Sequence, residues 1–178
     1  QAVIVPPEGE PIFFGRGMDA VGARFTAYLA EDNIIGYADD YVQNTAKHPM
    51  DLLSSILKDK GWGAKRIGVE MDNYWFSARA FAALQAGLPD AKFQDTTALV
   101  NWQRAVKSAT ELDYMRKAGA IVTEMHRRIV EVIEPGMRKN DLVAEIYDAG
   151  IRGTAEFGGD YPAIVPLLPS GREAAAAH

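Results

Sequence analysis

The stretch WQRAVKSATELDYMRKAGA, residues Trp102–Ala120, decides how this chain divides. Ser108 and Glu111 stand at the S-x-x-E spacing of a capping box. The serine oxygen accepts from the third helical N–H, and the glutamate reaches back to the serine N–H. Leu112, Met115, Ala118 or Gly119, and Val122 then recur at three- and four-residue steps, which marks a helix with one buried face. A helix is therefore expected to begin at or just after Ser108. Upstream the pattern is one of short alternating elements; downstream it is one of long helices.

Working upstream, Leu99 to Arg104 reads as a short helical or irregular link, and Lys92 to Asp95 as a strand. Ser77 caps a helix to Ala86, apolar at Phe81 and Leu84 and stopped by Gly87 and Pro89. Arg66 to Glu70 is a strand. A clearer helix starts at His48-Pro49, because proline suits a first turn. Its stripe is Met50, Leu53, Ile56 and Leu57, and Gly61 ends it. Helix, strand, helix, strand with short connections argues for an α/β unit with a largely parallel sheet. Nearer the amino end, Ala2 to Val5 and Ile12 to Phe14 flank the turn residues Pro6 to Pro11 and read as a hairpin on one side of that sheet. Asp19 to Arg24 reads as a short helix, and Phe25 to Leu29 and Ile34 to Tyr37 as extended pieces.

Downstream, the helix from Ser108 is expected to run to about Ile133 and to end at Pro135-Gly136. A second covers about Asn140 to Ala149, with Leu142, Val143 and Ile146 apolar, and stops at Gly150. Phe157 to Pro162 forms a glycine-rich bend, Ala163 to Leu168 an extended run, and Pro169-Ser170-Gly171 a turn before His178. The apolar opening at Ala2 and the close at His178 read as those of an internal segment of a longer protein.

Composition narrows the function classes. Twenty-four acidic against 19 basic residues give a net charge of −5. A non-specific nucleic-acid or membrane-surface binder would need a basic face instead. Without cysteine there is no disulfide, thiolate metal site or cysteine nucleophile in this sequence. No apolar run approaches the roughly 20 residues of a membrane span, and nothing before the first strand reads as a signal peptide. Gly15-Arg16-Gly17 lacks the third glycine of a dinucleotide fingerprint, and no H-E-x-x-H occurs.

The candidate residues are few. The three histidines are far apart in sequence, so no local metal cluster is expected. His126, at the edge of the helical stripe, reads as a packed or interface residue, and His48 as a helix-entry residue. Asp72-Asn73-Tyr74-Trp75-Phe76 follows a strand, where ligand loops occur in α/β sheets. Packing of its aromatics on the next helix or a neighbouring subunit is the plainer reading. His178 follows a turn outside any amphipathic stripe, and an exposed histidine suits proton transfer or substrate orientation. Asp160 and Tyr161 sit beside two glycines and a proline, where the backbone can approach closely; a structural turn explains them equally well.

Three ordered motifs add a resemblance. Arg104-x-x-Lys107-Ser108-x-x-Glu111-Leu112-x-x-Met115-Arg116-Lys117-Ala118 resembles the junction between domains in the creatinase / aminopeptidase P / prolidase family, which is M24-like. Glu134-Pro135-Gly136-Met137 resembles the break between the first two helices of that family's catalytic domain. Tyr161-Pro162-Ala163-Ile164-Val165, then Ser170-Gly171 and His178, resembles the strand and turn before its first active-site histidine. The implied fold is a creatinase-like α/β amino-terminal domain over residues 1–105, its mixed sheet flanked by helices. Residues 106–178 would then supply the opening helices and first strand of an α+β pita-bread domain.

Within the family, Gly68 to Ser77, Leu99 to Ser108 and Phe157 to Gly171 look like a member that opens a cyclic amidine with water. The resemblance implies a cytoplasmic homodimeric hydrolase with a small-molecule substrate and no nucleic-acid or membrane partner. It casts His178 as the catalytic residue, with Tyr161 and Asp160 lining the substrate. It implies no cofactor held by this segment, although peptidase members carry a divalent metal on later positions. A creatinase or Xaa-Pro peptidase remains the alternative within the family, and a non-catalytic dimerisation or substrate-capping module the alternative outside it.

Overall fold

The computed structural model describes residues 1–176 and separates into two compact units, Gln1–Gln103 and the residues from Arg104 onward. In the first unit, β1 (Ala2–Ile4) pairs antiparallel with β2 (Ile12–Arg16), Ala2 opposite Phe14 and Ile4 opposite Ile12. Gly9, at φ 95°, takes the left-handed conformation in the turn between them. β2 feeds α1 (Gly17–Thr26) and then β3 (Ile34–Tyr37), which lies parallel to β2. A parallel neighbour needs such a crossover, since a tight turn can only reverse the chain. The piece from Phe25 to Leu29 forms no strand: α1 runs through Phe25 and Thr26, and only from Ala27 is the backbone extended. Ala20 and Ala23 bury against Ile34 and hold that helix to the sheet.

The second half of this unit is α2 (Pro49–Asp59), β4 (Arg66–Val69), α3 (Ala78–Gly87), β5 (Lys92–Asp95) and α4 (Leu99–Gln103). β4 and β5 are parallel, Arg66 opposite Lys92 and Val69 opposite Asp95. The strands form two sheets, β1-β2-β3 and β4-β5, where the sequence suggested a single one. One apolar core still joins them. Phe14, Tyr37, Met50, Leu53, Leu57, Ala80, Leu84 and Leu88 are buried together, with Ile67, Val69 and Phe93 against them. Burial of this kind contributes about 25 cal/mol per Å² of apolar surface.

α3 ends at Gly87, as expected, and the glycine is also a contact point. A Cβ there would lie 2.3 Å from Ser54 Oγ, so the missing side chain lets α3 close on α2. Ser54 is buried, and its hydroxyl donates to the Met50 carbonyl at 2.7 Å. Leu88 caps the helix and Pro89 follows it. Gly61, at φ 74°, follows the end of α2 as expected.

The second unit is an antiparallel helix pair, α5 (Ala109–Val132) and α6 (Lys139–Arg152). The capping box forms at the start of α5: Glu111 N–H donates to Ser108 Oγ at 3.3 Å, and Ser108 N–H donates to Glu111 Oε2 at 2.7 Å. The Ser108 N–H above all, with the Ser108 hydroxyl beside it, holds the Glu111 carboxyl below its ordinary range. α6 passes through Gly150 to Arg152. Gly150 is a contact point, where an added Cβ would meet Met125 Sδ of α5 at 3.2 Å. The terminator is Gly153, at φ 70°. Arg128 crosses from α5 to α6, donating to Glu145 Oε2 from Nε at 2.9 Å and Nη2 at 2.7 Å. The run from Ala163 to Leu168 has no paired strand among the described residues. A strand needs a neighbour for its backbone N–H and C=O groups, and residues 104–176 supply none.

Candidate functional site

The bend that carries Asp160 and Tyr161 is built on the end of α6. Gly153 turns the chain with positive φ, and any Cβ there would meet the Phe157 carbonyl oxygen at 2.5 Å. Thr154 N–H donates to that same oxygen at 2.9 Å, while Thr154 Oγ1 accepts from Glu156 N–H and Phe157 N–H, both at 3.2 Å. Gly159 N–H donates to the Ile151 carbonyl at 3.1 Å, which ties the far side of the bend to the last turn of α6. Only glycine fits at that point, because a Cβ on Gly159 would stand 1.9 Å from the Gly150 oxygen. The conformation that the two glycines suggested is thus a close backbone approach as well as a turn.

Beyond Gly159 both polar candidates face outward. Asp160 is exposed, and its Oδ1 accepts from Tyr161 N–H at 2.7 Å. Tyr161 is 72% exposed. The carboxylate therefore spends one oxygen on shaping the backbone and presents the other to solvent. Lys139, at the start of α6, pairs with Glu173 at 2.5 Å and anchors the short helical turn Gly171–Ala175. His178, the catalytic candidate, lies outside the described residues.

The other two histidines have different roles. His48 caps α2: its Nδ1 accepts from Met50 N–H at 3.1 Å, and its own N–H donates to Asp51 Oδ2 at 2.7 Å. Burial, helped by the Arg79 charge and opposed by Asp51, pushes its pKa below the ordinary histidine value. His126 is exposed on α5 among the described residues.

The loop after β4 divides its aromatics. Phe76 packs toward α3, with its ring 6.2 Å from that of Phe81. Tyr74 and Trp75 do not pack on the helix and stay in solvent. The loop backbone is held from β5: Asp72 N–H donates to Thr97 Oγ1 at 3.0 Å and Met71 N–H to Asp95 Oδ1 at 3.4 Å. The Thr97 hydroxyl donates to Asp95 Oδ1 at 2.6 Å, and this contact above all lowers the Asp95 pKa. Asp95 and Thr97 were not singled out in the sequence. Their signal was the Asp-Thr-Thr run just after a strand, a local hydrogen-bonding pattern typical of turns.

No group of three or more His, Asp or Glu side chains converges as a metal site among the described residues. No helix among those residues is long and apolar enough to cross a membrane.

Comparison with known proteins fits this arrangement. A family model described as the Creatinase/Prolidase N-terminal domain matches residues 1–106, and one described as Metallopeptidase family M24 matches residues 113–178. The ectoine hydrolase of Halomonas elongata is 55% identical over 184 aligned residues, covering all of this chain and 46% of that protein. An uncharacterised hydrolase/peptidase of Sinorhizobium fredii is 42% identical over 88% of this chain and 40% of its own length. The chain thus spans about half the length of the curated relatives it matches. Among solved structures, a prolidase from Thermococcus sibiricus superposes with a TM-score of 0.72 at 18% identity, over 99% of this chain and 44% of that one. At that identity the likeness is one of fold.

Proposed function

The chain belongs to the creatinase/prolidase family of hydrolases, and from that premise we propose that it is part of an ectoine hydrolase. The observation that carries the reading is 55% identity along the whole chain to an enzyme of that name. The reaction adds water across the amidine carbon of a six-membered ring. The water oxygen becomes an acetyl carbonyl, one ring C–N bond breaks, and the departing nitrogen takes up the proton, leaving N-acetyl-diaminobutyrate. A general acid/base must move that proton from water to nitrogen, and His178 is the residue of this chain assigned to it. Such a group accelerates a reaction about a hundred- to ten-thousand-fold. Asp160 and Tyr161 would face the substrate from the bend, whose backbone is anchored on α6. The enzyme is proposed to work as a cytoplasmic homodimer.

The test uses the full-length protein, with ectoine and an Xaa-Pro dipeptide offered separately and products followed by NMR. Ectoine opening by wild-type, lost about a hundredfold or more in His178→Ala with the fold intact, is the expected result. Proline-peptide cleavage without ectoine turnover would replace this reading with the peptidase one, which the M24 match favours. Ectoine turnover unchanged in His178→Ala would remove the histidine assignment alone.

A further inference from the structure

The loop between β4 and α3 exposes two aromatic rings that the fold does not use. Tyr74 and Trp75 are 89% and 87% exposed. They are not splayed apart: their centroids are 4.9 Å from each other and their planes meet at 86°, so the rings make a right-angled corner. Asn73 Oδ1 accepts from Trp75 N–H at 3.0 Å, and the Asn73 carbonyl accepts from Phe76 N–H at 2.9 Å. With the two bonds from Asp95 and Thr97, four hydrogen bonds hold the backbone that presents the corner, and such ordering lowers the cost of binding.

The chain nearest the corner carries acidic side chains. Glu70 and Asp72 flank it and Asp95 lies beneath its backbone, while the nearest basic residues along the chain are Arg66 and Arg79, the latter bonded to the Asn44 and Thr45 carbonyls. Neither Glu70 nor Asp72 is in an ion pair among the described residues. Aromatic faces carry negative potential, and neighbouring carboxylates reinforce it. The corner also stands at the carboxyl ends of two parallel strands, the end at which α/β sheets take ligands. Carboxylates beside aromatic faces favour a cation over an anion.

We propose that Tyr74 and Trp75 form a recognition corner for a small organic cation of delocalised charge, an amidinium or quaternary ammonium group, with Asp72 and Glu70 as counter-charge. The extension to catalysis rests on the reading above, since the protonated ring of ectoine is an amidinium. The ring faces would orient the planar cation, and the carboxylates would bias its approach.

The probe is acetamidinium chloride, with tetramethylammonium chloride and sodium acetate beside it at constant ionic strength. Each is titrated into the full-length protein while the Trp75 indole N–H resonance is followed. Both cations should shift that resonance and acetate should not. Tyr74→Leu and Trp75→Leu should each weaken acetamidinium binding about two- to fivefold, the range of one exposed cation–π contact. Trp75→Phe should retain most of it, and Asp72→Asn should weaken it and flatten its salt dependence. No shift with either cation, or equal affinity in the leucine variants, overturns the proposal. So does a drop in oligomer mass in Trp75→Leu, which would make the corner a protein contact. With ectoine, the leucine variants should raise KM at nearly constant kcat. If acetamidinium binds but wild-type enzyme leaves ectoine intact, the corner stands and the substrate assignment falls.

Discussion

Gly158 and Gly159 are adjacent, yet alanine should have opposite effects at the two positions. At Gly159 an added Cβ would sit 1.9 Å from the Gly150 carbonyl oxygen and 3.3 Å from Ile121 Cδ1. An ordinary contact of this type needs about 3.5 Å, so the bend must retreat by more than an ångström. The obstacle is helical backbone, which cannot rotate away as a side chain can. That retreat breaks the 3.1 Å bond from Gly159 N–H to the Ile151 carbonyl. A lost net hydrogen bond costs roughly 1 kcal/mol, and overpacking about 1–3 kcal/mol. Gly159→Ala should therefore lower stability by about 2–4 kcal/mol. At Gly158 the added methyl meets nothing within 4 Å, and φ is outside the left-handed region. Gly158→Ala should be neutral, or stabilising by up to about 1 kcal/mol through the unfolded chain. Urea unfolding of the full-length variants, with ectoine turnover measured beside it, checks both. Superimposable unfolding curves for the two variants would refute the reasoning, because the carbonyl contact at Gly159 is what separates the two positions.

Three further perturbations test other parts of the framework. His48 has a lowered folded pKa and accepts through Nδ1, so the unfolded chain takes up its proton first as pH falls. Its contribution should be complete above about pH 6.5 and decline as pH drops toward the folded value; His48→Asn, which keeps a cap, should flatten that part of a pH–stability profile. Ser108→Ala removes the acceptor for the Glu111 N–H and should cost about 1 kcal/mol, visible as earlier amide exchange in the first turn of α5. Gly87→Ala puts a methyl 2.3 Å from Ser54 Oγ and should destabilise by about 1–3 kcal/mol. The double variant with Ser54→Ala should recover part of that loss, because half of the clash is removed.

Much of the framework was readable because it is local. The Ser108–Glu111 box, the proline at the start of α2, the apolar stripes and the Lys92–Asp95 strand each depend on residues within a few positions of one another. The site was less readable. The sequence marked Asp160 and Tyr161 but not that Asp160 would spend an oxygen on Tyr161 N–H, and it marked the loop after β4 but not the Asp95 and Thr97 that hold it. Those partners are some 24 residues away and meet only because β4 and β5 are parallel neighbours. His126 shows the converse: its place near an apolar stripe suggested a packed or an interface residue, and its side chain stands exposed on α5.

By itself, the sequence determined where helices begin, that short alternating elements give way to long helices near Ser108, and which family the motifs resemble. Capping, periodicity and turn chemistry are properties of neighbouring residues, and they survive being read in one dimension. Tertiary structure alone decided that the strands divide into two sheets, and that Gly87, Gly150 and Gly159 are contact points where the backbone of one element meets another. It also decided that Tyr74 and Trp75 stand in solvent while Phe76 does not. Each of these depends on which surfaces come within a few ångströms, and that distance is set by the packing of the whole unit.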